Sequence, residues 1–365
     1  MKIPGMSVLA SYLTGLLLGK VALLLFGLTG FLLALDMMVN ASSLMNNQGG
    51  FAALAHYAGL RTPIIVSDMI KIASLLGGLL TFAGLIRHGE LAAMWIAGLS
   101  QVGLFRRLLP VGLLLGGLQF AVDDLAVPDS VDALYAWGVG EYEKPREAGG
   151  VAGITWIHVG EDIVRVPTEN IRGDTLGAFT IFQRDVEGDL LGRLDVGSAQ
   201  YDGGRWELRD VTLTGGDGSA PRYEARRDWA IGLDPVSLSH LAAHPRHLSF
   251  DQIRRFADGD GQGTWAPHLY QTWLYEKLTT CLVPLLMLLL SAALAQQTQR
   301  AGRLELLFLG GAAIGFAFFI FNGITLAMGE VGLLPPLLAS LAPLVAFTAV
   351  AGSVIYWNEL KKRPG

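Results

Sequence analysis

The chain has 365 residues, of which 52% are hydrophobic and 16% charged, with a formal net charge of −5. Its mean hydropathy of +0.43 is that of a chain with extensive membrane-embedded surface, and the acidic balance argues against a nucleic-acid partner, which needs Lys and Arg to neutralise phosphates. The single cysteine, Cys281, excludes an intrachain disulfide framework.

A bilayer core asks roughly 20 consecutive apolar residues of each helix. Six runs meet this: 8–35, 64–86, 104–122, 273–295, 304–328 and 335–357. The first is longer than a signal-peptide core and is expected to be retained. Between the first two runs, residues 36–62 are polar and read as a loop with a short helix near 51–60. Residues 87–100 follow the second run. In them Glu90, Leu91, Met94, Trp95 and Ala97 recur at helical spacing, and Gly98 then Ser100 close the pattern. This predicts a short amphipathic helix at the membrane surface, with an ordinary solvated loop as the plain alternative.

From 126 to 267 the character changes. Apolar and polar residues alternate with period two over 154–159, 162–166, 177–183, 190–198, 205–212 and 222–231, separated by Gly- and Asp-rich turns. Trp156, Ile181, Leu194, Trp206, Leu208 and Val211 are the expected buried set. Ser249 is placed to cap a helix, and a Gly-rich link at 259–263 leads to the fourth run. Residues 125–268 hold 23 acids and 14 bases, a balance of −9, which leaves +4 for the rest of the chain.

The predicted fold class is therefore an α+β membrane protein, with six transmembrane helices and a β-sandwich or jelly roll inserted between the third and fourth. The expected domains are 1–125, 126–267 and 268–365. Lys and Arg mark the cytoplasmic side of a span. Lys2, Arg87, Arg106, Arg107, Arg300, Arg303, Lys361, Lys362 and Arg363 all fall on one side, so both termini are expected in the cytoplasm and the strand-rich domain outside.

Catalytic signatures are missing. There is no G-x-x-x-x-G-K-[ST] loop, H-E-x-x-H, C-x-x-C or G-x-S-x-G, and no cofactor or metal is implied. His240, His244 and His247 read as solvated histidines rather than metal ligands. Charge inside the spans is costly and usually functional. Lys20, Asp68, Lys71, Glu276 and Lys277 are the candidates. Asp68 and Lys71 stand three apart, close enough to pair on one helix face. Lys20 and Lys71 either face a cavity or are neutralised locally.

The segment Glu90-Leu91-Ala92-Ala93-Met94-Trp95-Ile96-Ala97-Gly98-Leu99-Ser100 resembles a motif of the LptF/LptG permease family, the membrane subunits of the ABC transporter that extracts lipopolysaccharide. Asp36, Pro63, the exit from the third span at Asp123, the pattern Trp206-x-Leu208-x-x-Val211 and the prolines 335, 336 and 343 resemble it too. Asp234-Pro235 and the stretch from His244 to Ser249 look more like the LptG branch than the LptF branch. Val39, Asn40 and Ile64 depart from it, standing where LptG proteins carry lysines and leaving Arg61 as the nearby base.

The resemblance implies a non-catalytic subunit of the bacterial inner membrane with a periplasmic jelly roll. It implies an LptF-like permease, an LptB-like ATPase dimer and an LptC-like subunit as partners, and lipopolysaccharide and membrane lipids as ligands. Glu90, Leu91, Met94 and Gly98 would couple to the ATPase. Phe31, Phe316, Phe319, Trp156, Trp206 and Leu208 would line the lipid path, and Lys20, Arg61 and Lys71 are candidate contacts to lipid phosphates. An LptF-type subunit and a membrane-anchored scaffold that moves no lipid stay open as alternatives.

Overall fold

The computed structural model describes residues 8–41, 50–138, 154–159, 161–167, 170–172, 174–185, 189–203, 205–216, 220–229, 244–258, 265–301 and 304–360. His240, Asp234, the link at 259–263 and the flanking bases Lys2, Arg303 and 361–363 lie outside the described residues. The chain divides into two compact units, Met1–Gly140 with Tyr275–Gly365, and Glu141–Leu274.

The first unit is helical. Helix α1 spans Val8–Val39, α2 Gly50–Arg87, α3 Glu90–Ile96 and α4 Gln101–Ala121. A π-helical turn, Val122–Ala126, joins α4 to α5 at Val127–Trp137. Helix α2 merges the expected loop helix and the second span through Pro63. Its first turns are held against α1, where Tyr57 and Arg61 bond Asp36, contacts that local periodicity does not register. The third apolar run likewise continues past Ala126 to Trp137, because Asp123 and Asp124 find partners inside the bundle and the helix need not end at them.

Among the described residues, five helices are long and apolar enough to cross a membrane, and a bent pair makes a sixth span if counted as one. That pair comprises α7 at Pro267–Thr280 and α8 at Val283–Ala301, which meet at 52°. Pro284 explains the break, since it cannot donate to the Thr280 carbonyl and its ring crowds that turn. Helices α9 at Leu304–Glu330 and α10 at Pro336–Leu360 match the last two expected spans. Lipid-soluble helices gain little from hiding apolar surface from one another, so close approach decides their packing. Gly78 lies where a methyl group would overlap Ser291 of α8, and Gly116 lies directly against the Cys281 carbonyl at the break. Leu13, Leu17, Leu79, Phe82, Leu104 and Leu288 form the centre of the resulting core.

The second unit holds strands β1 Ile154–Val159, β2 Asp162–Pro167, β3 Ile171–Arg172, β4 Thr175–Leu176, β5 Phe179–Arg184, β6 Leu190–Tyr201, β7 Trp206–Gly215 and β8 Arg222–Trp229. Every described pairing is antiparallel. The long strand β6 pairs with β4, β5 and β7. The described strands thus form one continuous sheet rather than the two separately paired sheets of a sandwich. Tight turns favour this, because each main strand returns beside its predecessor. The sheet nevertheless curls. Phe179 on β5 and Trp229 on β8 are three strand spacings apart, roughly 14 Å on a flat sheet, yet their ring centroids lie 6.0 Å apart.

Ile181, Leu194, Trp206, Leu208 and Val211 are buried on the inner face, as expected. Trp156 is not: it is 47% exposed. Ile157 and Val159 take the inner face of β1, so strict alternation turns Trp156 outward, where it stacks on Phe182 at 6.0 Å. Helix α6, Phe250–Asp258, begins as the sequence predicts. Ser249 Oγ accepts from the Gln252 amide at 3.3 Å while Gln252 Oε1 accepts from the Ser249 amide at 2.7 Å, a reciprocal capping box. Its Phe256 stacks on Tyr270 at 5.1 Å. His244, expected in solvent, sets its ring against Trp265 and Trp273 at 5.9 and 5.5 Å.

Candidate functional sites in the helical unit

Helix α3 is fixed at both ends by glycines in left-handed backbone, Gly89 at φ 72° and Gly98 at φ 88°. Gly98 N donates to Trp95 O and Leu99 N to Met94 O, both at 3.0 Å, which is the Schellman arrangement that ends a helix at glycine. Ser100 then opens α4 rather than closing α3, its Oγ accepting from the Gly103 amide at 3.0 Å.

The helix does not present its apolar stripe outward. Leu91 and Met94 are buried in the chain's own core, where they anchor α3 to the bundle. What α3 offers to a partner is Ala93, Ala97, Gly98 and Ile96, the last 88% exposed. Glu90 is held by Tyr12 of α1, whose hydroxyl donates to its carboxylate at 2.8 Å. Beside α3 lies a cleft of about 590 Å³ whose walls include Leu9, Ala93, Met94, Gly98 and Arg107.

At the opposite end of α1, Asp36 gathers a polar knot. Arg61 approaches it through two nitrogens, Nε to Oδ2 at 3.2 Å and an η nitrogen to Oδ1 at 3.1 Å. Tyr57 Oη donates to Oδ2 at 2.7 Å, and Asn40 donates to Tyr57 Oη at 3.1 Å. Arg61 is therefore paired with Asp36 by a forked carboxylate contact. Lys20 is exposed on α1. Lys71 is half-buried and lies close enough to Glu276 for the two charges to act on each other.

Phe31 on α1 is 62% exposed and Phe316 on α9 is 69% exposed, whereas Phe319 packs against the core. Gly311 and Gly315 of α9 receive Leu79 and Leu75 of α2, so these glycines serve close packing within the chain. In the other unit, Trp206 and Leu208 are fully enclosed.

A third group joins the candidates Glu276 and Lys277 to Ser67, Gln119, Asp124 and Asn322, which the sequence reading did not single out. Gln119 of α4, fully buried, donates to Asp123 Oδ2 at 2.8 Å, and Ser67 Oγ of α2 donates to the same carboxylate. Lys277 of α7 pairs with Asp124 at 3.3 Å. Glu276 accepts from Thr280 at 3.2 Å and from Asn322 of α9 at 3.3 Å. A glutamine four residues before an aspartate, at the end of an apolar run, was the signal available in the sequence.

Comparison with known proteins accords with this layout of spans, short surface helix and strand unit. The chain is 23% identical over 347 residues to the lipopolysaccharide export system permease protein LptG of Escherichia coli K12, covering 90% of this chain and 91% of that protein. It is 21% identical over 315 residues to the protein of the same name from Haemophilus influenzae, covering 84% and 85%. The model of the family described as lipopolysaccharide export system permease LptF/LptG matches residues 11–357, nearly the whole chain, and the protein belongs to that family.

Proposed function

We propose that this chain is an LptG-type permease subunit that moves lipopolysaccharide out of the bacterial inner membrane. It works with an LptF-like permease, an LptB-like ATPase dimer and an LptC-like subunit. The observation that carries the reading is α3. A helix of 7 residues between two spans is pinned inward by Leu91 and Met94 and leaves Ile96 in the open. A chain without a nucleotide site needs an external source of work, and a rigidly anchored, outward-facing turn is a means of receiving it. Both termini and α3 face the cytoplasm in this reading, following the basic flanks, and the strand unit lies in the periplasm.

The exposed aromatic faces of α1 and α9, with Phe31 and Phe316, line the lipid path against the partner permease. The curled sheet is the jelly-roll-type element that receives acyl chains. Because Trp206 and Leu208 are closed off at rest, reception requires the sheet to open. Among cations, Lys20 is the exposed candidate for lipid phosphate, and Arg61 serves only if Asp36 releases it.

The test is Ile96→Asp, which alters an exposed side chain and leaves the α3 anchor intact. Co-purification of the ATPase should fall at least tenfold by the loss of one central anchor at an interface, while the chain keeps its yield and melting point. Glu90→Ala, which frees Tyr12 as well, should lower lipid release per ATP. Undiminished ATPase capture and ATP-driven lipid release by both variants would overturn the coupling assignment. Capture of an ATPase with no lipid release by the wild-type complex would instead favour the scaffold.

A further inference from the structure

The network around Asp124 and Lys277 plays no part in ATPase docking or in the lipid-facing surfaces. Lys277 Nζ stands 3.3 Å from Asp124 Oδ1, the two side chains 6% and 20% exposed. Charges buried in an apolar bundle carry a desolvation cost that hydrophobic replacements avoid, so their presence calls for a role. Their positions in the chain supply one. Asp124 lies in the π-helical turn between α4 and α5, the stretch leading out to the strand unit, whose first residue is Glu141. Lys277 lies on α7, the helix by which the chain returns, three residues beyond the unit's last residue, Leu274.

The local geometry points the same way. The π turn, a form concentrated at functional sites, sends two consecutive carboxylates to different helices: Asp123 to Ser67 of α2, and Asp124 to Lys277 of α7. The consecutive pair Glu276 and Lys277 does the same, toward Asn322 of α9 and toward Asp124. Four residues after Lys277 the fourth span breaks at Cys281, where Gly116 of α4 receives the exposed carbonyl. Helix α7 is therefore tied by side chains just before the 52° break that separates it from α8.

We propose that Asp124 and Lys277 are positioning residues for export. They form a clamp that makes the outgoing and returning stretches of chain move together, so that motion of the spans reaches the strand unit. The proposal rests on the export reading above.

The test uses the complete transporter in lipopolysaccharide-loaded vesicles and reads lipid released per ATP hydrolysed. K277M leaves Asp124 without this partner and should lower that ratio about tenfold, the size of coupling changes carried by single residues. Because K277M also weakens the fold, D124L/K277M is the second variant. An apolar pair restores stability but not the directional tie, so its ratio should stay low at wild-type yield and melting point. D124K/K277D should recover most of the ratio. A wild-type ratio in D124L/K277M, or an assembled D124K/K277D that stays low, would overturn the clamp.

Hydrogen exchange of Val127–Trp137 and Pro267–Thr280 reads the same clamp without export. Both stretches should speed up together in D124L/K277M and slow together in D124K/K277D; independent behaviour would also overturn it. If that pattern held while the wild-type complex released no lipid, the export reading would fall and the clamp would stand.

Discussion

The two units use the same charged residues in opposite ways. In the helical unit the ion pairs join different helices and are withdrawn from water: Arg61 with Asp36 at 15% and 17% side-chain exposure, Lys277 with Asp124 at 6% and 20%. In the strand unit they lie along the outer face of one sheet. Arg193 and Asp195 are two residues apart on β6, at 51% and 41% exposure, and Arg226 of β8 reaches Glu207 of β7. Solvent makes the difference. Water screens the second set to near zero net worth, whereas the first set is largely withdrawn from water, so removing one member leaves a poorly solvated charge. The apolar residues divide the other way. The sheet encloses Phe179 and Trp206 and leaves Trp156 and Tyr223 outward, while the helices, whose surroundings in a bilayer would be apolar, turn Phe31 and Phe316 outward.

Substitutions at five sites sharpen or break that contrast. Trp206→Ala should have the largest effect, about 3–5 kcal/mol for a fully buried aromatic, seen as a collapse of amide protection across β6 to β8 in the full chain. If protection there is unchanged, the inner face is not the core of that unit. Arg61→Ala comes next. It removes the forked partner of Asp36 and should cost about 1–3 kcal/mol, measured by the midpoint of detergent-induced unfolding; Arg61→Lys, with one nitrogen to offer, should recover only part of it. A midpoint insensitive to both changes would put the Asp36 knot among surface pairs of no net worth.

Gly116→Ala follows, at about 1–3 kcal/mol for overpacking against the Cys281 carbonyl. Gly117→Ala, whose added methyl group meets only open space, is its control and should be neutral or slightly stabilising. Equal effects would mean that the α4 approach to the break is looser than described. Smallest is Arg193→Ala, within about 1 kcal/mol of zero. Tyr223 belongs with it: its hydroxyl donates to Asp210 at 2.7 Å, and that bond raises its ionisation above the usual tyrosine range. Tyr223→Phe should leave the melting point of the strand unit unchanged at neutral pH, where the phenol is protonated in any case, and a clear loss would show that the exposed face contributes more than screening permits.

Much of this architecture was readable in the sequence because it follows from local patterns. The apolar runs, the period-two alternation, Gly98 after a helical stripe and Ser249 three residues before Gln252 are each the local cause of helix, strand or cap, although the fourth run is broken into two helices. The fine placement failed where partners decide. The short helix expected near 51–60 is there, but its continuity with the second span through Pro63 was not legible, because Tyr57 and Arg61 gain their footing from Asp36, far away in sequence. Leu91 and Met94 had the right spacing for an apolar face, but spacing alone does not say whether that face turns to the bundle or to a partner. Trp156 was assigned inward on hydrophobicity, and the parity of β1 placed it outward.

By itself the sequence determined the membrane-spanning character, the strand-rich insertion, the short helix between the second and third spans and the family, since hydrophobic period and motif are properties of contiguous residues. Only the tertiary structure decided which charges meet. Asp36 with Arg61, Ser67 and Gln119 with Asp123, Asp124 with Lys277, and Glu276 with Asn322 pair residues between 4 and 153 positions apart. Whether a charged group is a free ligand contact or a neutralised tie depends on that partner, and apart from Gln119 with Asp123 each of these partners is brought in by a different helix.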